Sequence, residues 1–269
     1  MRVALLQIGL TVVRCRFTDG RPWQLTLYLL TRTTNDTIPF MPTLSPQDLQ
    51  AIWLSVKVAT AATLLSAPCG VAVAYLLTFV RLPGKALIEG VVNLPLVLPP
   101  VVIGYLLLLL LGQSGWLGPL LTALDIRVIF TLSGAVIASA VVGFPLLVRS
   151  IRIGMEGIDH HYLLAAQTLG AGWWDTLVTI VLPLSGRAIL AGMTLSFARS
   201  LGEFGATIIL AGNIPGVTQT IPLAIYEYTN TPGGDRLALT LCLVSIALSF
   251  VVLMINEAIA RTLRPGGGA

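Results

Sequence analysis

Charged side chains are scarce in this sequence. Only 10% of its 269 residues are Asp, Glu, Lys or Arg, whereas 55% are hydrophobic, and the mean hydropathy is +0.88. A soluble domain usually carries about 25% charged residues, so this chain has too little polarity to cover a surface in contact with water. The composition therefore predicts a protein whose natural solvent is the lipid bilayer.

The sequence also lacks the residue patterns of covalent chemistry and of metal binding. Its three cysteines have neither metal-ligand nor CxxC spacing, and the adjacent His160 and His161 have no acidic or thiol cluster beside them. The turn at Lys85 lacks the upstream glycine and the following Ser or Thr of a phosphate-binding loop. We therefore expect no catalytic residues, no metal site and no cofactor bound by this chain. The net charge of +4 comes from short loops rather than a basic stripe, which argues against nucleic-acid binding.

Long apolar runs dominate what is present. A spanning helix needs about 20 mostly apolar residues, and five segments meet that length. The run 221–228 is too short to cross alone, so it is predicted to be a re-entrant or peripheral helix. The expected fold is an all-α polytopic membrane protein with five transmembrane helices, this short helix and a further cytoplasmic helix described below. The five predicted spans are 52–80, 88–112, 128–148, 188–210 and 237–259.

Lys and Arg are concentrated in alternate loops, and cytoplasmic loops carry the excess of these residues. This pattern predicts a cytoplasmic C-terminus and, with five spans, an N-terminus outside. It also places the segment between the third and fourth spans in the cytoplasm. The basic residues concerned are Arg81, Lys85, Arg149, Arg152, Arg187, Arg261 and Arg264.

The two ends of the chain differ from the rest. Residues 1–43 carry several arginines on the side that should have few, so we expect a disordered extension or a translation start at Met41. Residues 44–264 are predicted to form one membrane domain. The glycine-rich residues 265–269 are predicted to be a flexible tail.

The cytoplasmic segment has a distinctive spacing. A helix is predicted over 157–169 and carries the small pair Ala165 and Ala166, which permits close approach to a partner protein. Gly170 suits the left-handed position just past a helix end. A second short helix is expected from Trp173, followed by membrane re-entry at Pro183. This arrangement predicts a helix-turn-helix that docks on a partner; the alternative is an ordinary amphipathic loop.

The second and fourth spans contain unusual residues. Pro95, Pro99 and Pro100 each remove a backbone donor, so the second span is either a kinked packing helix or a helix bent around a translocation path.

In the fourth span, Arg199 and Glu203 are spaced to pair on one helix face. We favour a structural ion pair over a gate for these two. The candidate pathway or gate residues of this segment are Ser196, Arg199, Gly202, Glu203, Gly205 and Thr207.

The cytoplasmic segment resembles the EAA-x3-G-x9-I-x-LP signature of permease subunits of binding-protein-dependent ABC importers. The match covers Ala165, Ala166 and Gly170, and it departs where Leu164 replaces the usual glutamate. Glu156 or Asp159 is expected to substitute for that glutamate electrostatically. The match continues through Ile180, Leu182 and Pro183.

Three further segments resemble the permeases of molybdate importers in particular. They are the proline-rich LPLVLPPVVIGY of 94–105, the ARSLGEFGA of 198–206 and the TPGG of 231–234. The resemblance extends from about residue 46 to residue 264. Sulfate and tungstate permeases share the LGEFGA pattern, so import of either anion is the alternative.

The resemblance implies a set of partners and a mechanism. Such permeases act as homodimers in the cytoplasmic (inner) membrane. Two ATP-binding subunits dock on the cytoplasmic side and hold ATP and Mg²⁺, and an oxyanion-binding protein delivers the cargo outside. The permease itself is then not an enzyme, and it works by alternating access. A gradient-driven secondary transporter would be expected to show an inverted repeat, which is not evident, and a membrane-embedded enzyme would need converging catalytic side chains.

Overall fold

The computed structural model describes residues 44–80 and 83–262, with side chains up to residue 258. The predictions for residues 1–43 and 265–269 lie outside these ranges. All regular elements in the described part are helices. They are α1 (Pro46–Phe79), α2 (Lys85–Val97), α3 (Pro100–Leu111), α4 (Gly118–Ala123), α5 (Leu132–Glu156), α6 (His160–Thr168), α7 (Trp173–Thr176), a π-helical turn (Leu177–Val181), α8 (Leu182–Leu201), α9 (Gly205–Leu210), α10 (Ile221–Thr229) and α11 (Asp235–Thr262).

Four continuous helical stretches among the described residues are long and apolar enough to cross a membrane. They are Pro46–Phe79, Leu132–Glu156, Trp173–Leu201 and Asp235–Ala258, and the count rises to five if the bent pair α2 and α3 forms one broken span. The all-α polytopic fold is thus confirmed, with four to five spans where five were predicted, and two of the predicted spans have a different form.

The predicted span 88–112 is not one straight helix. The chain bends by 116° between α2 and α3. Leu98 and Pro99 both have extended backbones, with ψ of 142° and 135°. Proline disfavours a helical conformation in the residue before it and cannot donate a backbone hydrogen bond. Pro99 therefore keeps Leu98 out of the helical conformation and ends α2, and Pro100 is the first residue of α3. Pro95, in contrast, is accommodated inside α2.

The predicted span 188–210 begins much earlier and ends earlier. Helix is continuous from Trp173 to Leu201. The helix predicted from Trp173 therefore begins where expected but does not end before Pro183, and membrane re-entry at Pro183 stays a prediction. The π-helical turn lies just before Pro183, and the amide of Leu182 donates to the carbonyl of Leu177. This wider turn accommodates the proline, which otherwise clashes with the preceding turn of an α-helix.

Helix α5 lies at the centre and packs against α1 and α8. Its contact with α8 is close because small residues line both sides. A Cβ atom added to Gly143 would lie 2.7 Å from Oγ of Ser196, and one added to Gly154 would clash with the Cβ of Ala188. Small residues are the usual means by which helices approach each other in membranes, so these glycines set the α5–α8 distance.

The short helix α10 is attached to the start of α1. The hydroxyl of Tyr228 donates to Asp48 at 2.7 Å, and the amide of Ile221 donates to the hydroxyl of Ser55 at the same distance. Asp48 also accepts from the amide of Ser45 in the capping box that begins α1. These bonds fix α10 against the start of α1, at the end opposite α6.

Candidate functional site

The coupling segment, defined here as residues 156–183, has the turn that its sequence predicts. Gly170 adopts a φ of +81° immediately after α6. The amide of Ala171 donates to the carbonyl of Ala166, and the amide of Gly170 donates to that of Gln167, both at 3.0 Å. These two bonds form a Schellman motif, which requires a left-handed residue at this position. The predicted role of Gly170 at the helix end is confirmed.

The start of the coupling helix differs slightly from the prediction. Helix α6 begins at His160 rather than at residue 157, because Oδ1 of Asp159 accepts from the amide of His161 at 2.9 Å and caps the helix. Glu156 ends α5 and pairs with Arg152 at 2.6 Å. Both carboxylates that were expected to replace the missing glutamate are therefore engaged within the chain.

The two alanines of the coupling helix face different surroundings. Ala166 is buried together with Leu163, which packs in a core cluster with Leu147, Ile151 and Met155. Ala165 is exposed, as is Leu164. Only Ala165 is thus available for close approach by a partner, while Ala166 holds α6 against the rest of the chain.

Two exposed residues of this segment were missed by the sequence analysis. Tyr162 is 58% exposed and Leu169 is 87% exposed. With 3.6 residues per turn, Tyr162 and Leu169 lie beside Ala165, whereas the face opposite Leu163 also presents the exposed His161 and Thr168. The exposed surface of α6 is therefore mixed, with large apolar side chains available to a partner protein. The sequence signal is that Tyr162 and Leu169 are apolar but do not share the helix face of Leu163.

The second half of the signature anchors the segment rather than exposing it. Ile180 and Leu182 pack against the core cluster that includes Leu163. The ring of Trp173 lies 5.8 Å from that of Tyr75 on α1. Pro183 is exposed near the start of α8. These contacts tie the end of the coupling segment to α1 and α5.

Arg199 and Glu203 form the predicted ion pair. Nη1 of Arg199 donates to Oε2 of Glu203 at 2.6 Å, and the amide of Ala206 donates to Oε1 at 2.7 Å. The side chain of Glu203 is 1% exposed and that of Arg199 is 31% exposed. Glu203 thus lies in the break between α8 and α9 and stabilises the first turn of α9, where a negative charge is favourable.

The structure brings the break at Glu203 against the proline bend of α2 and α3. A Cβ atom on Gly205 would lie 2.9 Å from Cβ of Pro100 and 3.0 Å from the amide nitrogen of Val101. One on Gly104 would lie 2.8 Å from the carbonyl oxygen of Ala206. A Cβ on Gly202, in contrast, would meet nothing within 4 Å. Two segments that the sequence analysis treated separately therefore form one contact.

The hydroxyls proposed to line a pathway are enclosed within the chain in this conformation. Ser196 is fully buried between α5 and α8, and its Oγ has no hydrogen-bond partner among the described residues. Thr207 is 1% exposed, and its hydroxyl donates to the carbonyl of Phe204 at 3.0 Å. Their role in a pathway stays a prediction.

Side chains suited to metal binding do not converge in the part of the chain that the structure describes. No three His, Cys, Asp or Glu residues there lie close enough to hold a metal ion. The features found among the described residues are structural: helix ends, close helix crossings and an internal ion pair.

The described residues thus combine apolar helices of membrane-spanning length with an exposed turn between α6 and the helix that starts at Trp173. The family model of the binding-protein-dependent transport system inner membrane component matches residues 40–265. The chain belongs to this family, and it is a multi-pass membrane protein.

Three relatives of this chain are permease proteins of molybdenum or sulfate transport systems. The molybdenum transport system permease protein ModB of Escherichia coli (strain K12) is 50% identical over 226 residues, which cover 84% of this chain and 99% of ModB. ModB of Haemophilus influenzae is 50% identical over 218 residues, covering 81% and 95%. The sulfate transport system permease protein CysT of Escherichia coli is 34% identical over 220 residues, covering 81% and 79%.

Solved structures support the fold. The MetNI methionine ABC transporter in an inward-facing conformation matches with a TM-score of 0.62 and 14% identity, covering 81% of this chain and 96% of that one. A bacterial ABC transporter that imports alginate matches with a TM-score of 0.68 and 17% identity, covering 82% and 81%. At these identities the likeness shows the fold alone.

Proposed function

We propose that this chain is the permease subunit of an ATP-driven importer that carries molybdate across the cytoplasmic membrane. The observation that carries the proposal is the 50% identity to ModB of Escherichia coli along 99% of that protein. The identity to the sulfate permease CysT is 34% and covers less of its length. Tungstate shares the tetrahedral shape and charge of molybdate and remains the alternative cargo, with sulfate third.

A separate ATPase subunit supplies the energy, and it holds the ATP and Mg²⁺. Its docking site on this chain is the exposed surface of α6 and its C-terminal end, which includes the apolar side chains of Tyr162, Leu164, Ala165 and Leu169. Apolar contacts here replace the charged contact that a glutamate at position 164 would make. Two ATPase subunits serve a homodimer of this chain, one on each coupling helix.

The orientation follows from the distribution of basic residues, which places the coupling segment and the C-terminus in the cytoplasm and the N-terminus outside. An oxyanion-binding protein then docks at the outer side, near α10 and the start of α1. One of the alginate transporter structures is a complex with a substrate-bound periplasmic protein, which supports a partner of this kind.

Transport is a shift between two packings of the same helices, each favoured by a different nucleotide state of the ATPase. Movement of α6 passes to α5 through Leu163, which packs against Ile151 and Met155. Helix α5 in turn packs against α8 and α1.

The Arg199–Glu203 pair keeps the break between α8 and α9 intact during this movement. A buried carboxylate repels an anion, so Glu203 is a structural group and not a ligand for the cargo.

The test is the ATPase activity of the complete complex in proteoliposomes, with the binding protein empty or loaded with molybdate, tungstate or sulfate. We expect stimulation by the molybdate- or tungstate-loaded protein and not by the sulfate-loaded or empty one. Uptake of each labelled anion then separates molybdate from tungstate. Stimulation by sulfate alone would overturn the proposed cargo. Failure to assemble with any ATPase subunit would overturn the ATP-driven mechanism and favour a gradient-driven transporter.

A further inference from the structure

A groove with two arginines lies between α2 and the ends of α1 and α5. Its volume is about 280 Å³. One wall is apolar and is formed by Leu77, Leu96, Val97 and Val148. The polar end holds Arg149 and Arg152, together with Glu89 and Asn93. We call this feature the Arg149 groove.

Arg152 is held in place by acidic partners. Its Nη1 lies 2.8 Å from Oε1 of Glu89 on α2, and its Nε donates to Oε1 of Glu156 at 2.6 Å. These contacts join α2 to the end of α5 and satisfy the charge of Arg152. Asn93 is also engaged, because its side-chain amide donates to the carbonyl of Glu89 at 2.8 Å.

Arg149 differs from Arg152 in having no carboxylate beside it. It is exposed at the groove, one turn before Arg152 on α5. Among the described residues it forms no ion pair. Arg152 contacts both Glu89 and Glu156, so Arg149 is the basic side chain of the lining that has no carboxylate within 4 Å among the described residues. An arginine presents planar donors that match the oxygens of a phosphate-like group.

The position of Arg149 along α5 is compatible with a headgroup. It lies seven residues before the end of this membrane-length helix, at the end that leads into the coupling segment. Basic side chains near the ends of spanning helices extend to the interface. The apolar wall formed by Val97 and Val148 lies beside it.

We propose that the Arg149 groove is a binding site for a tetrahedral oxyanion, with Arg149 as the direct contact and Arg152 as a second donor oriented by Glu89. Two sources supply this chemistry: the phosphate headgroup of an anionic phospholipid, and a soluble oxyanion on the same side of the membrane. The apolar wall suits the lipid, whose chain would lie along it. The groove lies on the side of the coupling segment, and its placement in the cytoplasmic leaflet rests on the proposed function. The existence of the site does not depend on that function.

The site is tested with the full permease–ATPase complex in phosphatidylcholine nanodiscs and a fluorescent phosphatidylglycerol as the probe. We expect tighter binding of this probe than of the matching phosphatidylcholine, and weaker binding at high salt. Arg149→Gln should lower the affinity for the anionic probe by more than the roughly fivefold expected for removing any one basic residue at a membrane surface. Lys85→Gln removes a charge from the same side of the chain outside the groove, so it measures that general effect and should lower the affinity less than Arg149→Gln does.

Competition distinguishes the two sources. If excess inorganic phosphate or molybdate fails to displace the probe, the occupant is the lipid. If either displaces it from the wild type and not from Arg149→Gln, the groove takes a soluble oxyanion. Equal affinity of the wild type for the anionic and zwitterionic probes would overturn the proposal, and this measurement needs no variant to fold. So would an Arg149→Gln complex that binds like the wild type. None of these outcomes depends on transport, so the site and the proposed function fail independently.

Discussion

Nη1 of Arg199 lies 2.6 Å from Oε2 of Glu203, and the two side chains are buried to very different extents. The carboxylate is almost completely enclosed, while about a third of the arginine side chain is exposed. The carboxylate also accepts from the amide of Ala206. The pair therefore joins the end of α8 to the start of α9 and leaves no buried charge without a partner.

This asymmetry predicts unequal effects of removing each partner. Arg199→Gln leaves a buried carboxylate uncompensated and should cost about 3 kcal/mol of stability. Glu203→Gln should cost less, because the amide oxygen still accepts from Ala206 and Arg199 is partly exposed. The double variant should be more stable than Arg199→Gln alone. Thermal unfolding of the purified permease measures all three.

For transport, Glu203→Gln should impair assembly or gating more than the apparent affinity for the anion. A variant that assembles normally and loses only affinity would contradict the structural role of Glu203.

In the stability experiment, additive effects of Arg199→Gln and Glu203→Gln on the unfolding midpoint would show that the two side chains are not energetically coupled.

The left-handed turn at Gly170 predicts a loss of coupling when it is replaced. Gly170→Val forces a β-branched residue to a φ of +81°, where such residues are true outliers. The added Cβ meets nothing within 4 Å, so the penalty comes from the backbone and is about 1–2 kcal/mol. We expect ATP hydrolysis by the complex to continue while uptake falls.

Gly172 is the matched control for this experiment. It is exposed, has an ordinary φ of −73°, and its added Cβ would also meet nothing within 4 Å. Gly172→Val should therefore retain the wild-type ratio of uptake to ATP hydrolysis. Equal ratios in Gly170→Val and Gly172→Val would remove the turn from the coupling mechanism.

The exposed Leu169 at the end of α6 predicts a specific defect in assembly. Leu169→Asp places a charge on a residue that is 87% exposed; because an acidic residue at a helix C-terminus is slightly unfavourable, the stability of the isolated permease should fall by no more than about 1 kcal/mol. Its affinity for the ATPase subunit should fall at least about tenfold if this leucine is buried in the interface, which corresponds to about 1.4 kcal/mol. Leu124→Asp is the control, since Leu124 is 61% exposed and lies in the loop before α5, at the other end of that helix. Equal binding by both variants would place the ATPase elsewhere.

The crossing of α3 and α9 predicts opposite outcomes for two glycines three residues apart. A Cβ at Gly205 would press on Pro100 and the backbone of Val101, whereas one at Gly202 would meet open space. Overpacking of this kind costs about 1–3 kcal/mol. Gly205→Ala should thus lower the unfolding midpoint and the rate of uptake, and Gly202→Ala should leave both near wild type. A tolerated Gly205→Ala would show that the contact with the proline bend is not tight.

Features that depend on neighbours along the chain were predictable. The apolar runs located the four membrane-length helices and the bent pair, Gly170 marked the end of α6, and the four-residue spacing of Arg199 and Glu203 predicted their pairing. Each of these depends on interactions within one or two turns of a helix, so the local sequence contains the necessary information. The exact form of the second span was less accessible, because Pro95 remains inside a helix while Pro99 and Pro100 end one.

The sequence by itself therefore determined that this protein is helical, that it spans a membrane and that its chain turns at Gly170. These features follow from hydrophobicity and backbone conformation, which are local properties. Only the tertiary structure decided that Ala166 is buried while Ala165 is exposed, that the helix before Pro183 is continuous, and that Gly205 lies against Pro100. The reason is physical: which face of a helix is buried depends on the helices that pack against it, and those come from distant parts of the chain. The same packing placed Glu89 and Asn93 of α2 beside the two arginines of α5 in one groove.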